Sequence, residues 1–161
     1  MMDEIEYDYY TTLATLYDTQ DIRQPYLQDT MPSSNAQRIG AIAETRFIAE
    51  CLERDFEPHT PTTPMPWDFI VHCPAGDLKV QVKSTSCIKD NYYVVNTSCG
   101  KTSKEHIPST VDVVAVYLAP IQEWWMIPQS VVTSLTIKLF SDNPSKSKYK
   151  KYQNNWSIYY E

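Results

Sequence analysis

The chain has 161 residues, of which 42% are hydrophobic, enough for one domain around one core. Its 20 acidic and 14 basic residues give a net charge of −6. No run approaches the roughly 20 apolar residues that cross a bilayer, and Met1-Met2-Asp3-Glu4 leads into no apolar segment, so a soluble, unsecreted, cytoplasmic protein is expected.

The excess charge sits at one end. Up to Asn35, seven acids (Asp3, Glu4, Glu6, Asp8, Asp18, Asp21 and Asp29) face Arg23 alone, and the remaining 13 acidic and 13 basic residues cancel. Tyr7, Tyr9, Tyr10, Tyr17 and Tyr26 are interspersed among these acids. Residues 1–34 are therefore read as an acidic, tyrosine-rich appendage ahead of a domain over 35–161.

The domain opens with a predicted helix over 36–56, which has no Pro and only Gly40, and which follows the capping candidates Ser33, Ser34 and Asn35. At about 100° per residue, Arg46, Glu50, Glu53 and Arg54 share one arc. Glu44 falls on the opposite arc with Gly40, Phe47, Ile48, Cys51 and Leu52. It is either a side chain snorkelling at the edge of the apolar stripe or a carboxylate held there for chemistry.

Residues 66–83 read as a hairpin. Trp67, Phe69, Ile70 and Val71 form an apolar run interrupted by Asp68, predicting a strand buried on both faces, and Pro74-Ala75-Gly76-Asp77 makes the turn. The returning strand alternates, with Leu78, Val80 and Val82 on one face and Lys79, Gln81 and Lys83 on the other. A carboxylate set into a buried strand needs a partner, since an unpaired buried charge costs several kcal/mol. Pairing the strands brings an acid, an amide oxygen and an ammonium together. Such a group suits a hard cation held by oxygen ligands, with the Lys placed to offset phosphate charge.

Further strands are predicted over 92–97, over 111–118 with Asp112 near its start, and over 123–127, where Trp124, Trp125, Met126 and Ile127 mark a buried strand. Pro128 is expected to open a short helix over 129–135. Residues 96–109, with Gly100, Lys101, Lys104 and His106, read as a polar loop. The class is α/β, a mixed central sheet flanked by helices. Cys51, Cys73, Cys87 and Cys99 lack Cys-x-x-Cys spacing and read as free thiols; His72-Cys73 keeps zinc as a minor alternative. Near the end, Lys138, Lys146, Lys148, Lys150 and Lys151 interleave with Tyr149, Tyr152 and Trp156. Either these lysines take phosphates while the aromatics stack on bases, or the lysines are solvated and the aromatics pack as a C-terminal lid.

The order of a helical Glu44, then Pro66-Trp67-Asp68, then Gln81-x-Lys83 resembles the restriction-endonuclease-like PD-(D/E)XK nucleases. It is most similar to the branch with Gln in the third position, found among intron-encoded homing endonucleases, and more distantly similar to Holliday-junction resolvases. The resemblance covers about residues 39–128. It implies a mixed sheet flanked by helices, hydrolysis of DNA phosphodiesters with Mg²⁺ or Mn²⁺, and a homodimer or larger homo-oligomer. By position it makes Glu44 an outer or water-mediated acid and Asp68 the central metal ligand. Gln81, through its amide oxygen, and the Val82 carbonyl become further ligands, and Lys83 neutralises phosphate or orients water. Lys101, Lys104, Lys146, Lys148, Lys150 and Lys151 are the candidate contacts to the DNA backbone. Two departures stand out. Trp67 separates the Pro from the Asp, and Gln81 replaces an acid, lowering the charge around the metal by one.

Alternative classes are a catalytically inactive nuclease-fold module that binds nucleic acid or a partner protein, and an acidic interaction protein in which the motif is coincidence. The appendage is either a solvated or packed arm or, on a sharper reading, an imitation of DNA phosphates that competes for the basic surface.

Overall fold

The computed structural model describes residues 33–99, 105–141 and 148–161. The chain divides into two units, Met1–Thr30 and Met31–Glu161, and the second contains every described helix and strand. The appendage expected over 1–34 lies almost wholly outside the described residues, as do Lys101, Lys104 and Lys146.

Helix α1 runs Ser33–Leu52. It buries Ile39, Ala43, Phe47 and Cys51, a row spaced by four residues that forms one stripe of a 3.6-residue helix. The predicted stripe was wider than this: Leu52 is 53% exposed and Ile48 is half-buried. The helix also stops four residues before the expected end at Phe56. Asp55 takes a left-handed φ of 60°, its N–H bonds the Leu52 carbonyl, and the Phe56 N–H reaches back to the Cys51 carbonyl. That pattern is a Schellman closure with Asp in the place usually held by Gly, so no glycine announces it. Phe56 then turns inward and is 1% exposed.

The main sheet has five strands in the order β1-β2-β3-β6-β7. Strands β1 (Glu57–His59), β2 (Phe69–Cys73) and β3 (Gly76–Thr85) pair antiparallel; β3 pairs parallel with β6 (Val113–Leu118), which pairs antiparallel with β7 (Glu123–Pro128). The sheet is therefore mixed, as expected. All six residues of β6 are buried, as befits a central strand covered on both faces.

One face packs on α1, where Phe69, Val71, Val80, Val82, Ala115 and Met126 meet Ala43, Phe47 and Cys51. The other is covered by a second sheet of β4 (Ile88–Lys89), β5 (Tyr92–Asn96) and β8 (Thr136–Leu139), not by a further helix. Tyr93, Val95, Ile137 and Leu139 pack there on Val114, Val116, Trp125 and Ile127. The helix expected over 129–135 is a single 3-10 turn, Gln129–Val131, ahead of β8. Three β-branched residues in succession, Val131, Val132 and Thr133, followed by the alternation of Thr136, Ile137, Lys138 and Leu139, favour extended backbone.

Strand β2 also departs from expectation. It alternates, burying Phe69, Val71 and Cys73 while His72 is exposed, because only the thin edge strand β1 lies beyond it. The hairpin turn is tighter than four residues: Cys73 pairs with Gly76, leaving Pro74 and Ala75 as the loop, and Gly76 has a φ of 112° that favours glycine. At the opposite edge, Gln153 bridges Trp125, and the Asn154 N–H donates to the Trp124 carbonyl at 2.7 Å, so the chain end shields β7. Trp156 lies against Phe47 at 6.0 Å between ring centroids and beneath the Arg54 guanidinium at 4.3 Å. Tyr149 and Trp156 are 6% and 8% exposed, so these two aromatics form the C-terminal lid and are not free to stack on bases. The four cysteines form no disulfide.

Candidate metal and phosphate site

The Asp68 carboxylate sits where β2 begins to part from β3. Its N–H donates to the Val80 carbonyl at 2.9 Å, and its Oδ2 accepts the Val82 N–H at 2.7 Å. Backbone groups of β3 alternate in direction, so Val80 and Val82 face β2 while the groups of Gln81 turn to β6. The carboxylate thus takes the ladder position that β2 leaves open, which fixes it at the divergence of two strands.

Gln81, half-buried, lies on the same side. Its Nε2 donates to Asp68 Oδ2 at 2.5 Å and approaches the Val82 carbonyl at 3.3 Å. Both neighbours of that nitrogen are acceptors, which dictates the orientation of the amide. Two residues further on, Lys83 donates from Nζ to the Ser98 carbonyl at 2.9 Å. The predicted facing of Gln81 and Lys83 is as the alternation required, with Val80 and Val82 buried on the helix side.

The electrostatics follow from burial. Desolvation raises the Asp68 carboxyl above the ordinary carboxylate range, opposed by the Val82 N–H and then by the Lys83 charge. Desolvation likewise lowers the Lys83 ammonium, opposed first by Asp68 and then by Cys99. Glu44 is exposed on α1 at the margin of the buried stripe, and partial burial followed by the Asp68 charge raises its carboxyl too. The coupling places Glu44 within electrostatic reach of Asp68.

The remaining candidates are distributed otherwise. Lys148 donates to the Val131 carbonyl at 3.2 Å, and Lys150 donates to the Ser141 carbonyl. The Lys151 ammonium stands 5.0 Å from the centre of the Tyr152 ring, and Lys151 helps line a cavity of ≈ 350 Å³ with Met126, Asn155 and Ile158, to which no residue of the Asp68 group contributes. The inserted Trp67 packs against the second core and lies beneath the Lys79 ammonium, 4.8 Å from the ring centre, which leaves Asp68 at the strand divergence.

Among the described residues no cluster of three or more His, Cys, Asp or Glu exists. The donor set is instead a carboxylate, a side-chain amide and a backbone carbonyl, all oxygen donors suited to Mg²⁺ or Mn²⁺ and poorly suited to a soft metal. The Asp68 carboxylate and the Val82 carbonyl both face one electropositive group, the Gln81 amide nitrogen, as two ligand oxygens would face a cation.

A residue pair outside the motif adjoins this group. Ser98 supplies the carbonyl that holds Lys83, and the Asn96 side chain accepts from Ser98. Ser98 lies in the loop expected over 96–109 and Asn96 ends β5, where the expected strand and loop overlap; the only signal is an Asn two residues ahead of a Ser, ordinary turn composition.

A mixed sheet with a helix on one face, and an Asp and a Gln-x-Lys brought together at its strand divergence, define a nuclease-like α/β domain. The family model of the PD-(D/E)XK endonucleases matches residues 34–159, and the chain belongs to that family. In fold it is similar to a solved bacterial homing endonuclease, I-Ssp6803I, with a TM-score of 0.65 and 21% identity over 81% of this chain and 93% of that one. No curated protein sequence matches the chain.

Proposed function

We propose that the chain is a DNA endonuclease dependent on Mg²⁺ or Mn²⁺, hydrolysing phosphodiesters at the Asp68 site. The observation that carries this reading is the convergence of Asp68 Oδ2 and the Val82 carbonyl on the Gln81 amide, with the Lys83 ammonium two residues along the same strand face. Asp68, the Gln81 amide oxygen and the Val82 carbonyl would hold the cation. When bound, it supplies Lewis-acid chemistry at a phosphoryl oxygen. Lys83 contributes a positive charge that is hydrogen-bonded but not neutralised, suited to the charge that develops on the phosphate. Glu44, whose carboxyl is raised by partial burial and then by the Asp68 charge, would be the outer or water-mediated acid.

DNA is the substrate under this reading, and the homing endonuclease of similar fold favours site-directed cutting of duplex over resolution of four-way junctions. Cutting both strands with one site per chain calls for a homodimer or larger homo-oligomer. Backbone contacts would come from Lys151 and from Lys148 and Lys150 released from their carbonyl partners, together with Lys101, Lys104 and Lys146.

One observation favours a second reading. The Asp68 carboxylate already has two protein donors, and the neutral Gln81 adds no charge, as suits an inactive module that keeps the fold for binding. Cleavage of labelled linear duplex, single-stranded and four-way-junction DNA, with Mg²⁺ or Mn²⁺ and beside Lys83→Ala, separates the two. Cleavage by the wild type that is lost in the variant is the expected result. Metal-independent DNA binding without cleavage of any substrate would transfer the assignment to the inactive module.

A further inference from the structure

We infer that Asn96 is a positioning residue, whose amide oxygen fixes the Ser98 carbonyl that holds the Lys83 ammonium in the site. The functional sense of this inference rests on the nuclease reading, whereas its structural content does not.

A lysine side chain is a flexible four-carbon stem with many rotamers, so an ammonium that must meet a phosphate at one place needs an anchor. Asp68 acts on Lys83 only through its charge and not as an ion-pair partner: among the described residues the ion pairs are Arg54 with Glu50 and His72 with Asp77. The anchor is the Ser98 carbonyl, 2.9 Å from Nζ. A neutral acceptor orients the ammonium without cancelling its charge, which leaves that charge available to an anionic substrate.

Because the anchor is a backbone carbonyl, its direction depends on whatever fixes the chain at Ser98. Three sets of bonds do so. Asn96 Oδ1 accepts both the Ser98 N–H at 2.9 Å and the Ser98 hydroxyl at 2.6 Å. Thr97 is tied to the segment before β8, its N–H donating to the Leu135 carbonyl at 2.9 Å and its hydroxyl to the Ser134 carbonyl at 2.6 Å. The Cys99 N–H donates to the Glu105 carbonyl at 2.9 Å. Of these groups, only the Asn96 side chain bonds Ser98 itself.

The burial pattern isolates the effect. Ser98 is 6% exposed, so without Asn96 its N–H and hydroxyl would be left unpaired in a dry place, and the segment would turn to find other partners. Asn96 itself is exposed at the end of β5, so altering it removes nothing from the core. A residue that merely terminates the strand would leave Lys83 undisturbed when replaced.

The test compares the wild type, Asn96→Ala and Asn96→Asp, the last of which keeps the side-chain oxygen. Two quantities are read: the rate of reductive methylation of each lysine, resolved by mass spectrometry, and the single-turnover cleavage rate beside the DNA dissociation constant. In Asn96→Ala, methylation of Lys83 should rise several-fold while Lys79 and Lys89 stay unchanged, and Asn96→Asp should behave as wild type. Cleavage by Asn96→Ala should slow about tenfold or more at unchanged DNA affinity. Unchanged Lys83 methylation in Asn96→Ala, or an equal rise at every lysine, overturns the inference. If the wild type cuts no DNA, the nuclease reading fails, and the methylation pattern still decides the role of Asn96.

Discussion

Replacing Gln81 by Glu would restore the acid that the motif usually carries, and the structure says what that should cost and return. In the structure the Gln81 amide donates to Asp68 Oδ2 at 2.5 Å and lies 3.3 Å from the Val82 carbonyl. A carboxylate there loses a hydrogen bond to a charged acceptor, worth about 1.5–3 kcal/mol, and sets two acids against each other. For a chain of this length, about 2 kcal/mol corresponds to roughly 4–8 °C in Tm. The pH dependence has a definite sign. Adjacent acids raise each other's folded pKa above the unfolded values, so the folded state binds more protons, and stability relative to wild type falls as pH rises above about 4. Added Mg²⁺ should reverse the order, since one more negative charge about 4 Å from a divalent cation gains about 8 kcal/mol of attraction in an effective dielectric of about 20. The assay is thermal unfolding of Gln81→Glu and wild type from pH 4 to 8, with and without Mg²⁺. An unchanged metal-free Tm, or equal stabilisation of both proteins by Mg²⁺, would refute the account of the site.

Asp68→Asn tests the other partner. The folded pKa of Asp68 is raised, so wild type loses stability as pH climbs from the ordinary carboxylate value through the folded one, and the neutral variant should escape that loss. Denaturant unfolding at several pH values should show Asp68→Asn gaining on wild type above about pH 4, with cleavage abolished; a gain that grows toward lower pH would contradict the burial argument. In the core, Phe47 is fully buried and lies 5.3 Å from the Phe69 ring centre, 5.7 Å from Trp124 and 6.0 Å from Trp156. Phe47→Ala should cost about 3–5 kcal/mol by urea unfolding, since the surrounding rings cannot collapse onto the gap. A cost below about 1 kcal/mol would mean that the helix is not seated as described.

The parts legible in the sequence are those whose signal is local and periodic. The alternation along Leu78 to Lys83 located β3 and gave the facing of Gln81 and Lys83, because a strand has only two faces. The run from Trp124 to Ile127 was hydrophobic enough to read without its neighbours. What escaped depends on distant partners. The end of α1 is set by Asp55 in a left-handed conformation that composition does not mark, and β4 has only two residues, defined by pairing with β5. Of the sheet that covers the second face, β5 is legible as a strand, whereas residues 129–135 read as a helix and β8 escapes because the alternation begins only at Thr136. Trp156 could be read from sequence either as a base-stacking residue or as a lid, and its packing on Phe47 decides for the lid.

The same distinction explains why the site itself was half visible. Asp68, Gln81 and Lys83 are spaced along one hairpin, so a pattern of three residues suffices to suspect them. What steadies each side chain comes through backbone groups: the Val82 N–H for Asp68, the Val82 carbonyl for Gln81 and the Ser98 carbonyl for Lys83. Backbone groups carry no residue signature. Their positions follow from where β2 parts from β3 and from the way β5 leaves the second sheet. Under the proposed function this has a consequence for the neutral third position. Asp68 and Gln81 are hydrogen-bonded to each other, so the strand divergence is held without repulsion between acids. For the Gln81 amide oxygen to serve a cation, its nitrogen must first leave Asp68, and the lost bond subtracts from cation affinity. Cleavage should therefore require more Mg²⁺ in the wild type than in Gln81→Glu, and the metal-free stability of the two proteins should run in the opposite order.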